Sequence, residues 1–182
     1  MSVHDADPVL ATQRWVETFV IGQNLCPFAK REIESGRVRM VAVPAKTESA
    51  LSEALACELN LLHDTAAIET TLIIHPGVLT DFLDYNQFVD IADELIRQMN
   101  LEGVFQVASF HPHYRFAEAA DDDPANYTNR SPYPMLHLIR EASLERAVDS
   151  HPDIDAVPER NIRHLRAMGL ETLRQSLQQL YR

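Results

Sequence analysis

IETTLIIH, residues 68–75, is the stretch on which the fold turns. Ile68, Thr70, Thr71, Ile73 and Ile74 are β-branched, and with Leu72 they form an apolar run too short for a helix. Such a run reads as a largely buried strand. Upstream, Thr47 or Ser49 caps a helix whose Leu51, Leu55, Leu59 and Leu62 recur close to every 3.6 residues, and RVRMVAV (37–43) reads as a strand before it. Downstream, residues 81–100 carry Tyr85, Phe88, Ala92, Leu95 and Met99 on one helical side, and GVFQVASF (103–110) reads as a third strand. Strand, helix, strand, helix, strand makes two consecutive βαβ units. The fold class is therefore α/β: a small, mainly parallel sheet of about three neighbouring strands, flanked by helices and with a helical C-terminus.

Further out, residues 8–21 read as a helix capped by Asp7, opened by Pro8 and ended by Gly22, with Val9, Thr12, Val16, Phe19 and Val20 facing inward. Only the leading MSVHDA is expected to lack order. After the third strand, residues 134–148 read as a helix bearing Leu136, Ile139 and Leu144. Residues 158–182 carry two stripes, Ile162, Leu165, Met168 and Leu173, Leu177, Leu180, divided by Gly169. Neither a repeat nor a Gly/Ser linker interrupts the chain, so residues 1–182 read as one domain.

Charge narrows the partners. Sixteen basic against 27 acidic residues leave a formal charge of −11, a field that repels nucleic acid and anionic membranes. No apolar run reaches the roughly 18 to 20 residues of a membrane span, and no basic start leads into a secretory hydrophobic stretch. Cys26 and Cys57 are too few for a disulfide framework, which suits free thiols in a reducing cytoplasm. A small-molecule ligand is the expected partner.

Each strand closes on proline: VAVP, IIHP, SFHP. Two of the three place a histidine just before it, His75 and His111. Ligands of open α/β sheets bind beyond the carboxyl ends of strands, where these imidazoles would sit; equally, each histidine could merely cap a strand. The third strand runs into FHPHYRFAEAADDDPANYTNRSPYPML (110–136), a segment without helix or strand period. Irregular loops of this length are usually functional or disordered, and Phe110, Tyr114, Phe116, Tyr127 and Tyr133 argue for anchoring.

Within the segment, His111 and His113 are two apart, so extended backbone points both imidazoles one way, as acid/base groups or metal ligands. His75 is the first choice for a third ligand to a divalent metal such as zinc, with Cys26 or Asp121, Asp122 and Asp123 as further donors. Arg115 and Arg130 can grip a carboxylate or phosphate, or can pair with those aspartates and hold the loop together. Asn126, Tyr127, Asn129 and Ser131 supply further ligand-binding groups or satisfy irregular backbone. His137 and Arg140, on the expected helix that follows, could face the same cleft or equally lie on the surface. In NLCPFAKRE, Cys26 precedes Pro27, a plausible first helical residue, with Lys30 and Arg31 one turn on: the recipe for an activated thiol, or else a small buried residue. Cys57, beside Leu55 and Leu59, reads as packing. Neither C-x-x-C, Walker A, G-x-G-x-x-G, G-x-S-x-G nor H-E-x-x-H occurs.

At NLCPFA, FHPHYRF and NYTNRSPYPMLHLIRE the chain resembles a family of bacterial proteins catalogued only as a domain of unknown function. The resemblance covers nearly the whole chain and implies no activity, cofactor or site residue. The residues alone lead to an enzyme of hydrolase or transferase type acting on a small anionic or polar metabolite. Its site would be the loop 111–134 at the strand edge, with His111, His113 and Cys26 as catalytic residues. The alternative is a non-catalytic module that binds a small molecule or protein through the same loop.

Overall fold

The computed structural model describes residues 7–151 and 153–181; the expectation for MSVHDA lies outside them. The architecture is mixed α/β, with a four-stranded sheet between two layers of helices. The chain opens with α1 (Pro8–Trp15), where the Asp7 carboxylate accepts from the Val9 amide at 2.9 Å and Pro8 sits in the first turn. The helix runs on as a wider π turn, Val16–Ile21. A six-residue α2 (Ala29–Glu34) leads to β1 (Val38–Ala42), α3 (Glu48–Asp64) and β2 (Thr70–Ile74). Then come α4 (Phe82–Gln98), β3 (Phe105–Phe110) and β4 (Met135–Arg140). Three helices close the described chain: α5 (Glu141–Asp149), α6 (Val157–Met168) and α7 (Leu170–Gln179).

The strand order is β1-β2-β4-β3, with β1 parallel to β2 and β4 antiparallel to both its neighbours. This corrects the mainly parallel three-stranded sheet. β1, β2 and β3 do run the same way, but β2 and β3 are not neighbours, because β4 fills the place between them. The expected helix over 134–148 is divided: MLHLIR (135–140) is that central strand, and only then does α5 begin. Leu136, Ile139 and Leu144 mimic helical spacing. In a central slot, however, strand bonds on both sides outweigh the modest helix preference of leucine.

Strand alternation gives the two faces different cores. Ile73, Phe105, Leu136 and Leu138 meet α3 and α4 through Leu51, Leu55, Leu59, Tyr85, Phe88 and Ala92. Leu72, Met135 and Phe110 meet Trp15, Val16 and Phe19 from the N-terminal helix, with Leu165 and Leu173 from α6 and α7. Gly169, at φ +80°, separates those last helices as its position suggested. Among the described residues no helix is long and apolar enough to cross a membrane.

Tyr85 closes the sheet edge from α4. Its buried hydroxyl donates to the Met135 carbonyl at 2.8 Å and accepts from the Phe110 amide at 2.9 Å, tying the start of β4 to the end of β3. Burial raises its pKa further above the ordinary phenol value, so it stays protonated.

Candidate functional site

The carboxyl ends of β2 and β3 bring His75 and His111 to one edge, as the proline pattern suggested. β4 holds them two strand spacings apart, on the order of 10 Å. The Tyr85 ring packs against both, its centroid 5.9 Å from His75 and 5.0 Å from His111. His111 is fully buried and spends both nitrogens. Its Nδ1 accepts from the His113 amide at 3.0 Å, so Nε2 carries the proton and donates to the Leu79 carbonyl at 3.2 Å. His75, also fully buried, donates from Nδ1 to the Val78 carbonyl at 3.1 Å, leaving Nε2 without a partner. Burial, the largest influence on each, lowers both pKa values to about 4. Both imidazoles are neutral near pH 7.

This arrangement lends the metal expectation no support. Among the described residues no three His, Cys, Asp or Glu side chains gather as metal ligands, His75, His111 and His113 included. His111 has no lone pair to give, and His113 lies out on the surface.

The rest of the segment is ordered largely by its own polar groups. Buried Asn126 accepts from the Phe116 amide at 3.1 Å and donates to the Ala120 carbonyl at 2.8 Å. Asn129 donates to the Ser109 carbonyl at 3.0 Å, and buried Ser131 donates to the Tyr133 carbonyl at 2.7 Å. Arg130 donates to the carbonyls of Tyr114 (3.1 Å) and Asp121 (2.7 Å) and lies over the Tyr127 ring. Arg115 pairs with Asp121 at 2.5 Å, and Asp123 takes a forked bond from Arg166, which holds its carboxyl below the usual range. Tyr127 packs into the core with Trp15 and Leu165. Arg140 is no cleft residue either: it donates to carbonyls of Leu62, Thr65 and Ile68 at the end of α3 and beyond. What remains open is a groove between Asp81, Phe82, Leu83, His113, Arg115, Asp121 and Arg130, where two carboxylates offset two guanidinium groups.

A second concavity lies on the opposite face of the sheet. It is an open cleft with a cavity volume of about 200 Å³. Trp15, Val16 and Val20 form one wall, Cys26, Phe28, Ala29, Glu32 and Ile33 another, and Leu144 and Ala147 of α5 a third. Its floor is the sheet: Val38, Thr70, Leu72, Phe110, His137 and Ile139. The walls are overwhelmingly apolar, with a few polar groups, the usual make-up of a ligand pocket.

Two polar groups on the floor are locked together. Thr70 Oγ1 donates its one proton to the Leu138 carbonyl at 2.6 Å, so its contact with His137 Nε2 at 2.5 Å must be donated by the imidazole. His137 Nδ1 then holds a lone pair, and no described residue bonds to it. Burial lowers this imidazole's pKa to about 4 as well. At one end, Glu32 pairs with Arg37 at 2.6 Å, and Glu69 accepts from Ser143 at 2.8 Å with Arg37 and Arg146 each 3.7 Å away.

Cys26 belongs to this cleft. It is not at a helix start, since α2 begins at Ala29 and is too short to present a dipole. His111 faces the other side of the sheet, so the expected catalytic set is divided between faces. Cys57 is exposed, not packed: two residues beyond buried Leu55, it turns to the solvent side of α3.

The residues that sequence reading missed are Trp15, Thr70 and the strand role of His137. Trp15 could have been found, since Ala11, Thr12, Trp15, Val16 and Phe19 continue one inward stripe. Fold and cleft together define a mixed α/β domain with a hydrophobic pocket beneath its N-terminal helix. The chain belongs to the family described as Protein of unknown function (DUF1415), matched over residues 8–175. No curated protein and no solved structure matches it.

Proposed function

We propose that the chain binds a small, mainly apolar molecule in the cleft between the N-terminal helix, α5 and the sheet. One observation carries this reading: an apolar cleft of about 200 Å³ has polar groups left over on its wall. A concave, mainly apolar lining with a few polar groups is the usual make-up of a ligand site, so this cleft suits a small occupant. The sheet-edge segment then serves as scaffold, because its donors and acceptors are largely spent on its own backbone.

A second reading is favoured by Cys26 and His137 lining the same cleft. A thiol and a neutral imidazole are the elements of nucleophilic catalysis, which keeps transferase or hydrolase chemistry in view at this location instead of the loop.

The test uses Trp15, the one tryptophan in the chain and part of the cleft wall. Titration with N-phenyl-1-naphthylamine, a neutral apolar dye, should quench Trp15 fluorescence by energy transfer. Ala147→Phe, which fills the cleft, should weaken the dye by about tenfold or more while the fold survives. Equal affinity in the variant would sink the proposal.

A further inference from the structure

We propose that the cleft selects an apolar molecule bearing a hydroxyl or N–H donor, which it holds through the Nδ1 lone pair of His137. This rests on the cleft being a ligand site and adds the chemical class of what enters it.

One chain of hydrogen bonds fixes where the protons sit. The Leu138 carbonyl accepts the Thr70 hydroxyl proton at 2.6 Å, and a hydroxyl has only one to give. Thr70 Oγ1 therefore acts as acceptor towards His137 Nε2, 2.5 Å away, and fixes the proton of the imidazole on that nitrogen. Nδ1 is left as an acceptor. His137 stands on β4 in the floor of the cleft, and no described residue claims this atom. The low pKa of the buried ring keeps it in that acceptor form throughout the neutral range.

The other lining groups agree. Glu32 and Glu69 are acceptors already paired with Arg37 and Arg146, so they offer a ligand no donor, and the apolar walls disfavour burying a carboxylate or phosphate charge. Ser143 already gives its proton to Glu69. The Trp15 indole N–H is unpaired but buried within the wall, so it offers little to an acceptor on the ligand. Cys26 contributes only a weak S–H donor. A phenol, an alcohol or an N–H heterocycle on an apolar body meets this lining; an ether, ester or carboxylate of the same shape leaves Nδ1 desolvated and unpaired.

The experiment compares 4-propylphenol, 4-propylanisole and 4-propylbenzoate, which share one body. Binding is followed by the single indole N–H signal of Trp15 and by the imidazole ¹⁵N shifts of His137. The phenol should bind about tenfold tighter than the anisole, and the benzoate weakest. In wild type, Nδ1 should show the shift of an unprotonated nitrogen. His137→Phe should bring the phenol and anisole within about twofold of each other. Thr70→Val keeps the imidazole but frees its tautomer, and should erode the preference even if the first variant folds poorly. Equal binding of phenol and anisole in wild type, or a protonated Nδ1, overturns the donor inference and leaves the cleft site standing. If none of the three moves the Trp15 signal, the cleft reading falls and takes this inference with it.

Discussion

His111, just past the end of β3, and His137, on neighbouring β4, lie at opposite faces of the sheet, and the contrast between them separates two regions of the molecule. Both imidazoles are pushed by burial to a pKa of about 4. His111 spends both nitrogens, on the His113 amide and the Leu79 carbonyl. His137 spends one, on Thr70. The same division holds for their surroundings. Segment 111–134 is dense in polar residues, yet Asn126, Asn129, Arg130 and Ser131 all bond to backbone carbonyls. The cleft is poor in polar residues but leaves some of them uncommitted. An irregular chain must satisfy its own backbone, and that requirement alone attracts Asn, Ser, Arg and Asp. Polar density in a sequence therefore marks where irregular backbone is buried; uncommitted groups beside empty space mark where a ligand fits.

The largest effects should fall on the scaffold side. Tyr85→Phe removes the hydroxyl that joins Met135 and Phe110 and strands two buried backbone groups, a cost of about 2 to 4 kcal/mol. Chemical denaturation should show this as a lower midpoint at unchanged slope. A loss within about 0.5 kcal/mol would mean that the sheet edge does not depend on α4.

Acid should act on both regions together. His75, His111 and His137 have folded pKa values of about 4, below the ordinary 6.5, so folding favours their neutral forms. Their full contribution is present above pH 6.5. It is lost as pH falls from 6.5 to 4, where the unfolded chain takes up protons that the folded chain refuses. Summed over three groups, this is on the order of several kcal/mol. Stability measured against pH should fall across that window, and less steeply in His75→Gln; a flat profile would contradict neutral burial.

The thiols give a finer contrast. Exposed Cys57 should react fast with a maleimide regardless of cleft occupancy, whereas Cys26 should be slowed several-fold by a saturating cleft ligand. Peptide mapping by mass spectrometry distinguishes the two, and equal protection of both would break the assignment of Cys26 to the cleft. The smallest effect belongs to Arg115→Ala. Its pair with Asp121 is solvent-exposed, so stability should change by no more than about 0.5 kcal/mol and dye binding not at all.

Much of the scaffold was legible. Leu51, Leu55, Leu59 and Leu62, with Thr47 as cap, located α3 because burial on one face imposes the helical period on the sequence. IETTLIIH located β2, and Gly169 the break between α6 and α7. β4 was hidden because six residues, MLHLIR, fit either period, and only the vacancy between β2 and β3 decides for strand. That single misreading carried His137 onto a helix and removed it from the sheet floor. The cleft itself has no sequence signature. Trp15, Cys26, Phe110, His137 and Ala147 come from five separated places, and the space among them exists only once the layers have packed. Cys26 was singled out in advance, but for a helix terminus that α2 does not provide.

The most direct test asks where a ligand goes. Crystals soaked with 4-bromophenol would reveal the bromine by its anomalous signal. Bromine is expected in the cleft, close to Trp15 and Phe110, with the phenol oxygen within hydrogen-bond distance of His137 Nδ1. Bromine in the groove between Asp81 and Arg130, with the cleft empty at saturating concentration, would contradict this and return the site to the sheet-edge loop.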